Sequence, residues 1–225
     1  KDDGNSGRGT AVVGTVSGTS ISFGTPGVFV SSDMYMTAIT YDSSNQRVVI
    51  SFTDMDNSYR AKSVTGQISG TSINFNGLNT FDYGVQHTVT YDSTNNKVVF
   101  AYRDEPNADA GTVKVGTVNS GSLSYGSAVV FTSDAHYISS AYDSTNQKVV
   151  IAYHDGDDSG YGKVIVGTVS GDSISFGTPV VFNYAHTRNT SMAYDSTNGK
   201  IIIAYQDWGN NYYGTAIEGT VSGTS

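Results

Sequence analysis

The sequence contains no cysteine, which excludes disulfide bonds, thiolate metal sites and thiol nucleophiles. It has no uninterrupted apolar run of the roughly 18 residues that a transmembrane helix needs, so we expect no membrane insertion. Charge is scarce as well, because Asp, Glu, Lys and Arg make up only 14% of the chain, and the net charge is −8. Since nucleic-acid binding relies on clustered Lys and Arg, we expect no nucleic-acid partner.

Glutamate is almost absent, with Glu105 and Glu218 as its two copies. No segment shows the apolar periodicity of a helix. Hydrophobic residues nevertheless form 37% of the chain, and 26 glycines accompany them. This composition is ordinary for a folded domain and too apolar for a disordered one. The sequence therefore predicts a folded protein whose polar surface comes mainly from hydroxyl and amide side chains.

An internal repeat of about 50 residues organises the chain. A Tyr-Asp-Ser-Ser/Thr-Asn block followed by an apolar run starts at Tyr41, Tyr91, Tyr142 and Tyr194. A second block, typified by Gly-Thr-Val-Ser-Gly-Thr-Ser-Ile-Ser-Phe, occurs five times, at 11–24, 64–76, 113–126, 164–177 and 216–225. We treat 1–225 as one repeat domain of five units, the first and last partial. Units 1 to 5 span approximately 1–33, 34–84, 85–135, 136–187 and 188–225.

Each unit is predicted to form four short antiparallel strands. The Asp-Ser-Thr-Asn segment is typical of a hairpin turn, because Asp and Asn bond to nearby backbone amides. The Ser-Gly-Thr segment predicts a second hairpin, in which glycine supplies a positive φ. The Val-Val-Ile-Ala-Tyr runs between them have the composition of strands buried on both faces. Four strands in about 50 residues favour an all-β β-propeller of four-stranded blades, and an open array of hairpins is the main alternative.

The two ends of the sequence carry the same part of the repeat. Gly9-Thr10-Ala11 aligns with Gly214-Thr215-Ala216, so both ends would supply the same strand of a blade. We therefore expect about four and a half repeats that belong to a longer array, with a complete four-bladed ring as the alternative. Unclosed blades would leave exposed edges, which predicts self-association.

The repeat blocks resemble those of known tandem-repeat proteins. The segments at 14–26, 142–155 and 194–207 resemble units of β-propeller-type repeat proteins from marine viruses and bacteria. That resemblance implies a virion-fibre, surface or secreted adhesion protein. A looser similarity, in repeat length and architecture, is to tachylectin-like propeller lectins. This chain departs from a lectin pattern of one aromatic pocket per blade, because Trp208 is its one tryptophan.

The links after Tyr-x-Asp and after Phe-Gly-Thr-Pro differ between units, whereas the two hairpin turns barely change. In a four-stranded antiparallel blade both links lie at the same end of the sheet. They are rich in aromatic residues, which suit a binding face, although drift in loops and ring packing between blades would also explain them. The candidate ligand-binding residues are Tyr59, Tyr83, His136, Tyr137, Tyr161, Tyr184, His186, Arg188, Trp208, Tyr212 and Tyr213.

Two of the links also carry oxygen side chains at alternate positions, as calcium loops do. The candidate calcium ligands are Asp155, Asp157 and Ser159 in one link and Asp54 and Asp56 in another. Neither link has the bidentate Glu of a full calcium loop, and Asp is common in ordinary turns. Calcium is thus one interpretation and turn chemistry the other, and no other cofactor is expected.

The similarity of the repeats argues against catalysis, because an acid, a base and a nucleophile need different environments. We therefore expect a non-enzymatic extracellular, cell-surface or virion-associated protein that binds a cell-surface glycan or receptor through its variable aromatic face. A structural spacer in a fibre or surface layer is the alternative. A propeller glycoside hydrolase, which would use recurring Asp residues around the axis, is the third interpretation.

Overall fold

The computed structural model describes residues 2–224 and is about 70% β-strand. In this range the remaining regular structure is limited to short 3-10 turns, and no helix is long and apolar enough to cross a membrane. The prediction of an all-β antiparallel protein is therefore confirmed. The strands are β1 (Arg8–Ala11), β2 (Gly14–Ser17), β3 (Ser20–Phe23), β4 (Gly27–Asp42), β5 (Arg47–Asp54), β6 (Arg60–Ser69), β7 (Ser72–Tyr83), β8 (Val85–Asp92), β9 (Lys97–Asp104), β10 (Ala110–Asn119), β11 (Ser122–Tyr125), β12 (Val129–Thr132), β13 (Ala135–Asp143), β14 (Lys148–Asp155), β15 (Tyr161–Ser170), β16 (Ser173–Phe176), β17 (Val180–Asp195), β18 (Lys200–Asp207) and β19 (Tyr213–Gly219).

Unit 3 shows the order of strands within a repeat. Its inner strand β8 pairs with β9, β9 pairs with β10, and β10 pairs with β11 and β12, which together form the outer strand. The long strands β4 and β17 each begin as an outer strand, paired with β1 or β15. They then continue as the inner strand of the next unit, paired with β5 or β18. These two links are therefore continuous strands rather than loops, and no sheet closes on itself among the described residues.

The Asp-Ser-Thr-Asn turns form as the sequence predicts. Asp143 Oδ1 accepts hydrogen bonds from the backbone amides of Thr145 (3.0 Å) and Asn146 (2.9 Å), and the Asn146 side chain donates to Asp143 Oδ2 at 2.8 Å. Burial alone would raise the pKa of the Asp143 carboxyl, but these hydrogen bonds hold that pKa below its ordinary value. Asp42, Asp92 and Asp195 make the corresponding bonds.

The hydrophobic core is divided into clusters that lie between neighbouring units. In the cluster between units 3 and 4, Val99 and Val113 pack with Ile151 and Ile165. Three similar clusters join units 1 and 2, units 2 and 3, and units 4 and 5. Each unit therefore covers the apolar face of its neighbour, which is how stacked repeats are stabilised.

A glycine in each of units 1 to 4 receives the hairpin turn of the following unit. A Cβ atom placed on Gly126 would lie 1.7 Å from the carbonyl oxygen of Asp172, and one on Gly24 would lie 1.8 Å from the carbonyl oxygen of Thr71. Gly77 and Gly177 face the next turn in the same way. These positions need glycine because the two backbones approach too closely for any side chain.

Candidate functional site

Four inner strands carry a β-bulge at the same place in the repeat. The residues in the bulges are Met36, Gln86, Tyr137 and Asn189, with φ of 49°, 50°, 50° and 52°. A positive φ is uncommon for residues other than glycine, and it persists only where the surrounding structure holds the chain in that conformation. All four bulge residues line the same cavity, and we call the line through this cavity, around which units 2 to 5 are placed, the axis.

Hydrogen bonds join the bulges of successive units. The backbone amide of Gln86 donates to Met36 Sδ at 3.2 Å. The backbone amide of Tyr137 donates to Oε1 of the Gln86 side chain at 2.5 Å. The Thr190 hydroxyl completes the series by donating to the Tyr137 carbonyl oxygen. Units 2 to 5 are therefore linked around the axis by main-chain and side-chain contacts.

A cavity of about 540 Å³ opens over these bulges, and a second of about 340 Å³ adjoins it. The two share Tyr35, Met36 and Gln86, so they form one continuous depression, which we call the axial groove. The first part is completed by Thr37, His87, Tyr137, Ile138, Asn189 and Thr190, and the second part by Tyr59, Val85, Arg103 and Glu105.

Arg103 gathers acidic side chains at the edge of the axial groove. Its guanidinium lies 3.0 Å from Glu105 Oε1 and donates to Asp109 Oδ1 at 2.9 Å. A third nitrogen of the guanidinium lies 3.0 Å from Nδ1 of His136, which must accept because arginine can only donate. Nε2 of His136 then carries the proton and lies 2.9 Å from Asp134 Oδ1. We call this group the Arg103 cluster.

Part of the Arg103 cluster also has the spacing of a metal site. One ligand atom each from Asp109, Asp134 and His136 lies within 4.8 Å of the others. The guanidinium of Arg103 already neutralises one Asp109 oxygen at this place. The sequence prediction placed its metal ligands elsewhere.

A row of rings extends from the Arg103 cluster along the same end of the sheets. The ring centroids of His136 and His154 are 5.4 Å apart, those of His154 and His186 are 4.4 Å apart, and His186 stacks on Trp208 at 4.7 Å. The guanidinium carbon of Arg188 lies 4.0 Å above the Trp208 ring. Burial lowers the pKa of His154 and of His186. The imidazoles of His154 and His186 are therefore favoured in their neutral form.

The structure brings six predicted ligand-binding residues into contact through their rings and Arg188. Tyr59 lines the axial groove, whereas the remaining four lie apart from this group. Tyr161 packs on Tyr184, Arg60 covers Tyr83, and Tyr213 is 60% exposed on β19. The six residues that come together are His136, Tyr137, His186, Arg188, Trp208 and Tyr212.

Sequence reasoning named Tyr137 and His136 but missed the other three bulge residues and the rest of the Arg103 cluster. The bulge position stands five residues before the Tyr of Tyr-Asp in units 2 to 5 and is occupied by Met, Gln, Tyr and Asn. Its variability within an otherwise repeated strand was a signal that a comparison of the units could have found. Arg103 and Glu105 gave no such signal, since their grouping with His136 depends on the packing of unit 3 against unit 4.

The candidate calcium ligands lie in 3-10 turns and in ion pairs. Lys62 contacts Asp54 Oδ2 at 2.5 Å, and Lys163 contacts Asp155 Oδ2 at 2.8 Å, so each of these carboxylates faces a cation of the chain itself. Asp155 Oδ1 also accepts from the Asp157 amide at 3.1 Å. Asp56 accepts from the Asp33 amide at 2.9 Å, and Ser159 ends its turn with a φ of 56°. Calcium binding at these turns stays a prediction.

Comparison with known proteins supports the fold of the chain through structural similarity and gives no sequence match. No protein-family model matches the chain, and no curated protein matches it. Among solved structures, the chain is similar to a crystal structure of an exo-β-1,3-galactanase from Phanerochaete chrysosporium with β-1,3-galactotriose. The TM-score is 0.54 at 11% sequence identity, and the match covers 84% of this chain and 46% of that one. That enzyme is a β-propeller. The fold of this chain is β-propeller-like.

The same comparison contradicts the prediction of a non-enzymatic adhesion protein or spacer, because the propeller that this chain matches is a glycoside hydrolase. The prediction assumed that the units are chemically equivalent, and the structure shows that they are not. Glu105 and Arg103 occur in unit 3 alone, and packing adds Asp134 and His136 to them. The resemblance to viral and bacterial arrays and the extracellular location stay predictions.

Proposed function

We propose that this β-propeller is a glycoside hydrolase that binds a saccharide in the axial groove and cleaves it beside the Arg103 cluster. The observation that carries the proposal is the position of Glu105, which lines the groove and belongs to a group of three carboxylates. The galactotriose in the structure of the similar enzyme supports a saccharide as the ligand class.

The groove has the composition of a saccharide site. A sugar ring presents apolar C–H faces and a rim of hydroxyl groups, so its site needs aromatic surfaces together with a few polar groups. Tyr35, Tyr59 and Tyr137 supply the aromatic surfaces, while Gln86 and Asn189 supply amides. The larger part, at about 540 Å³, is within the usual range for a small-molecule pocket.

Glycoside hydrolysis needs two carboxyl groups, one as acid and one as nucleophile or base. Glu105 is the carboxyl group on the groove wall, with 44% of its side chain exposed, and we assign it one of these two roles. Asp109 is the second carboxylate, since both residues are held by the same guanidinium. Arg103 then orients the pair and balances its negative charge.

The test is hydrolysis of a panel of oligosaccharides that includes β-1,3-linked galactose, followed by the release of reducing ends. Glu105→Gln should lower kcat at least about 100-fold, which is the usual contribution of a general acid or base. Glu218→Gln is the matched control, because Glu218 is the other glutamate and lies exposed on β19 away from the groove. Hydrolysis by Glu105→Gln at the wild-type rate, or no hydrolysis of any saccharide by the folded wild type, would contradict the proposal.

Thermal unfolding with and without EDTA tests the predicted calcium at the Asp54 and Asp155 turns. If those turns bind calcium, EDTA should lower the melting temperature and added calcium should restore it. If Lys62 and Lys163 supply the positive charge there instead, EDTA should leave the melting temperature unchanged.

A further inference from the structure

One segment occurs twice with nearly the same sequence and opposite burial. Residues 14–24 and 167–177 differ at one position, Thr19 against Asp172. Val16 is 71% exposed, whereas its counterpart Val169 is 5% exposed. Ile21 is 54% exposed, whereas Ile174 is 4% exposed. The β2–β3 hairpin therefore presents an apolar surface that the same sequence buries elsewhere in the molecule.

The packing of unit 4 shows what covers this surface. Val169 and Ile174 lie in a cluster with Val99, Val113 and Val115, which are on β9 and β10 of the preceding unit. The hairpin of one unit thus packs on the second and third strands of the unit before it. The equivalent residues of unit 1, which we call the first face, are Val12, Val16, Ile21 and Phe23.

The complementary surface lies on unit 5. Val150, Ala152 and Val166 of unit 4 are 2%, 0% and 4% exposed, because they pack against unit 5. Strand register places Ile202, Ala204 and Glu218 at the corresponding positions of β18 and β19. Ala204 and Glu218 are exposed and Ile202 is half-buried. We call these residues and the exposed Ala216 the last face.

Glu218 stands where units 3 and 4 have valine, so its charge has to be accommodated in any contact at the last face. Its counterpart in unit 2, Thr65, donates a hydrogen bond to the carbonyl oxygen of Gly121 in the following turn. The position therefore lies next to the turn of the unit that docks on it. In unit 1 this turn carries Thr19 in place of Asp172, so Glu218 would meet a hydroxyl group rather than a second carboxylate.

We propose that the protein associates head-to-tail, with the first face of one copy packed on the last face of a second copy. The contact would continue the unit-to-unit interface that occurs four times within the chain. Because the two faces are different surfaces, the contact is heterologous, and association of residues 1–225 can extend beyond a dimer unless it closes into a ring. This inference is independent of the proposed function.

Sedimentation velocity on the full chain over a range of concentrations tests the proposal. The wild type should increase in mass with concentration. Ile21→Asp and Ala204→Asp each remove one face at an exposed position, and each should weaken association at least about 100-fold. A 1:1 mixture of these two variants should form a dimer and nothing larger, since only one intact pair of faces remains. Val130→Asp, at a 51% exposed position on β12, is the control and should behave as the wild type.

A gain of affinity provides a second measurement. Glu218→Val restores the residue found in units 3 and 4 and should lower the dissociation constant about tenfold, which corresponds to roughly 1.4 kcal/mol. A wild type that stays monomeric at every concentration would overturn the proposal. So would an Ile21→Asp variant that blocks association while Ala204→Asp has no effect, because that result indicates contact between two first faces.

Discussion

His87 shows how burial at the centre of the stacked units changes the pKa of a single residue. Its imidazole is buried beneath the axial groove, with Nδ1 3.0 Å from the Ser51 hydroxyl, and burial lowers its pKa to about 4. An unfolded histidine has a pKa near 6.5, so between pH 6.5 and 4 the unfolded chain binds a proton that the folded chain does not. The stability contributed by His87 is complete above pH 6.5 and is lost as the pH falls toward 4.

We therefore predict that the free energy of unfolding falls by about 3 kcal/mol through His87 between pH 7 and pH 4. His154 and His186, whose pKa values are also lowered, add to the fall with the same sign. Urea unfolding at several pH values measures it. His87→Gln retains a partner for Ser51 and should flatten the curve, and an unchanged pH dependence in that variant would contradict the assignment.

At the scale of the element, the hairpins follow from local chemistry and the contacts between units do not. Asp143 and Asn146 satisfy their own turn, so the Tyr-Asp hairpin could be predicted from five residues. The course of β4 and β17 could not be predicted, because each strand changes partner halfway along its length. The sequence shows the strand propensity of such a segment but not the two sheets between which it is shared.

The glycines that receive the next hairpin turn give a prediction at this scale. Gly126→Ala places a methyl group 1.7 Å from the Asp172 carbonyl oxygen, so units 3 and 4 must separate. We expect a loss of about 3 kcal/mol in the free energy of unfolding, measured in urea. Gly214→Ala is the matched control, since no atom lies within 4 Å of a Cβ there. Equal stability of the two variants would show that the close approach is not required.

At the scale of the whole molecule, burial is set by position in the stack. The segments 14–23 and 167–176 form the same hairpin, but the first has no unit packed on its outer face. Amide exchange depends on local opening, and a hairpin with few buried apolar contacts opens more readily. We predict that, in dilute protein, residues 14–23 exchange their amide hydrogens much faster than residues 167–176.

Hydrogen exchange followed by mass spectrometry makes this comparison within one sample, because the two peptides have nearly the same intrinsic rates. Protection of residues 14–23 should rise with protein concentration if a second copy covers the first face. Equal protection of the two segments in dilute protein would contradict the observed difference in burial.

The amino-acid sequence by itself determined the repeat, the antiparallel strands and both hairpin turns, since these depend on residues within a few positions of one another. It could not determine the site. The bulges at Met36, Gln86, Tyr137 and Asn189 line one cavity that exists only when the units stack, and Arg103 acquires His136 from the neighbouring unit. Tertiary structure likewise decides that Val16 is exposed and Val169 is buried, because the same side chain loses contact with water only where another unit covers it.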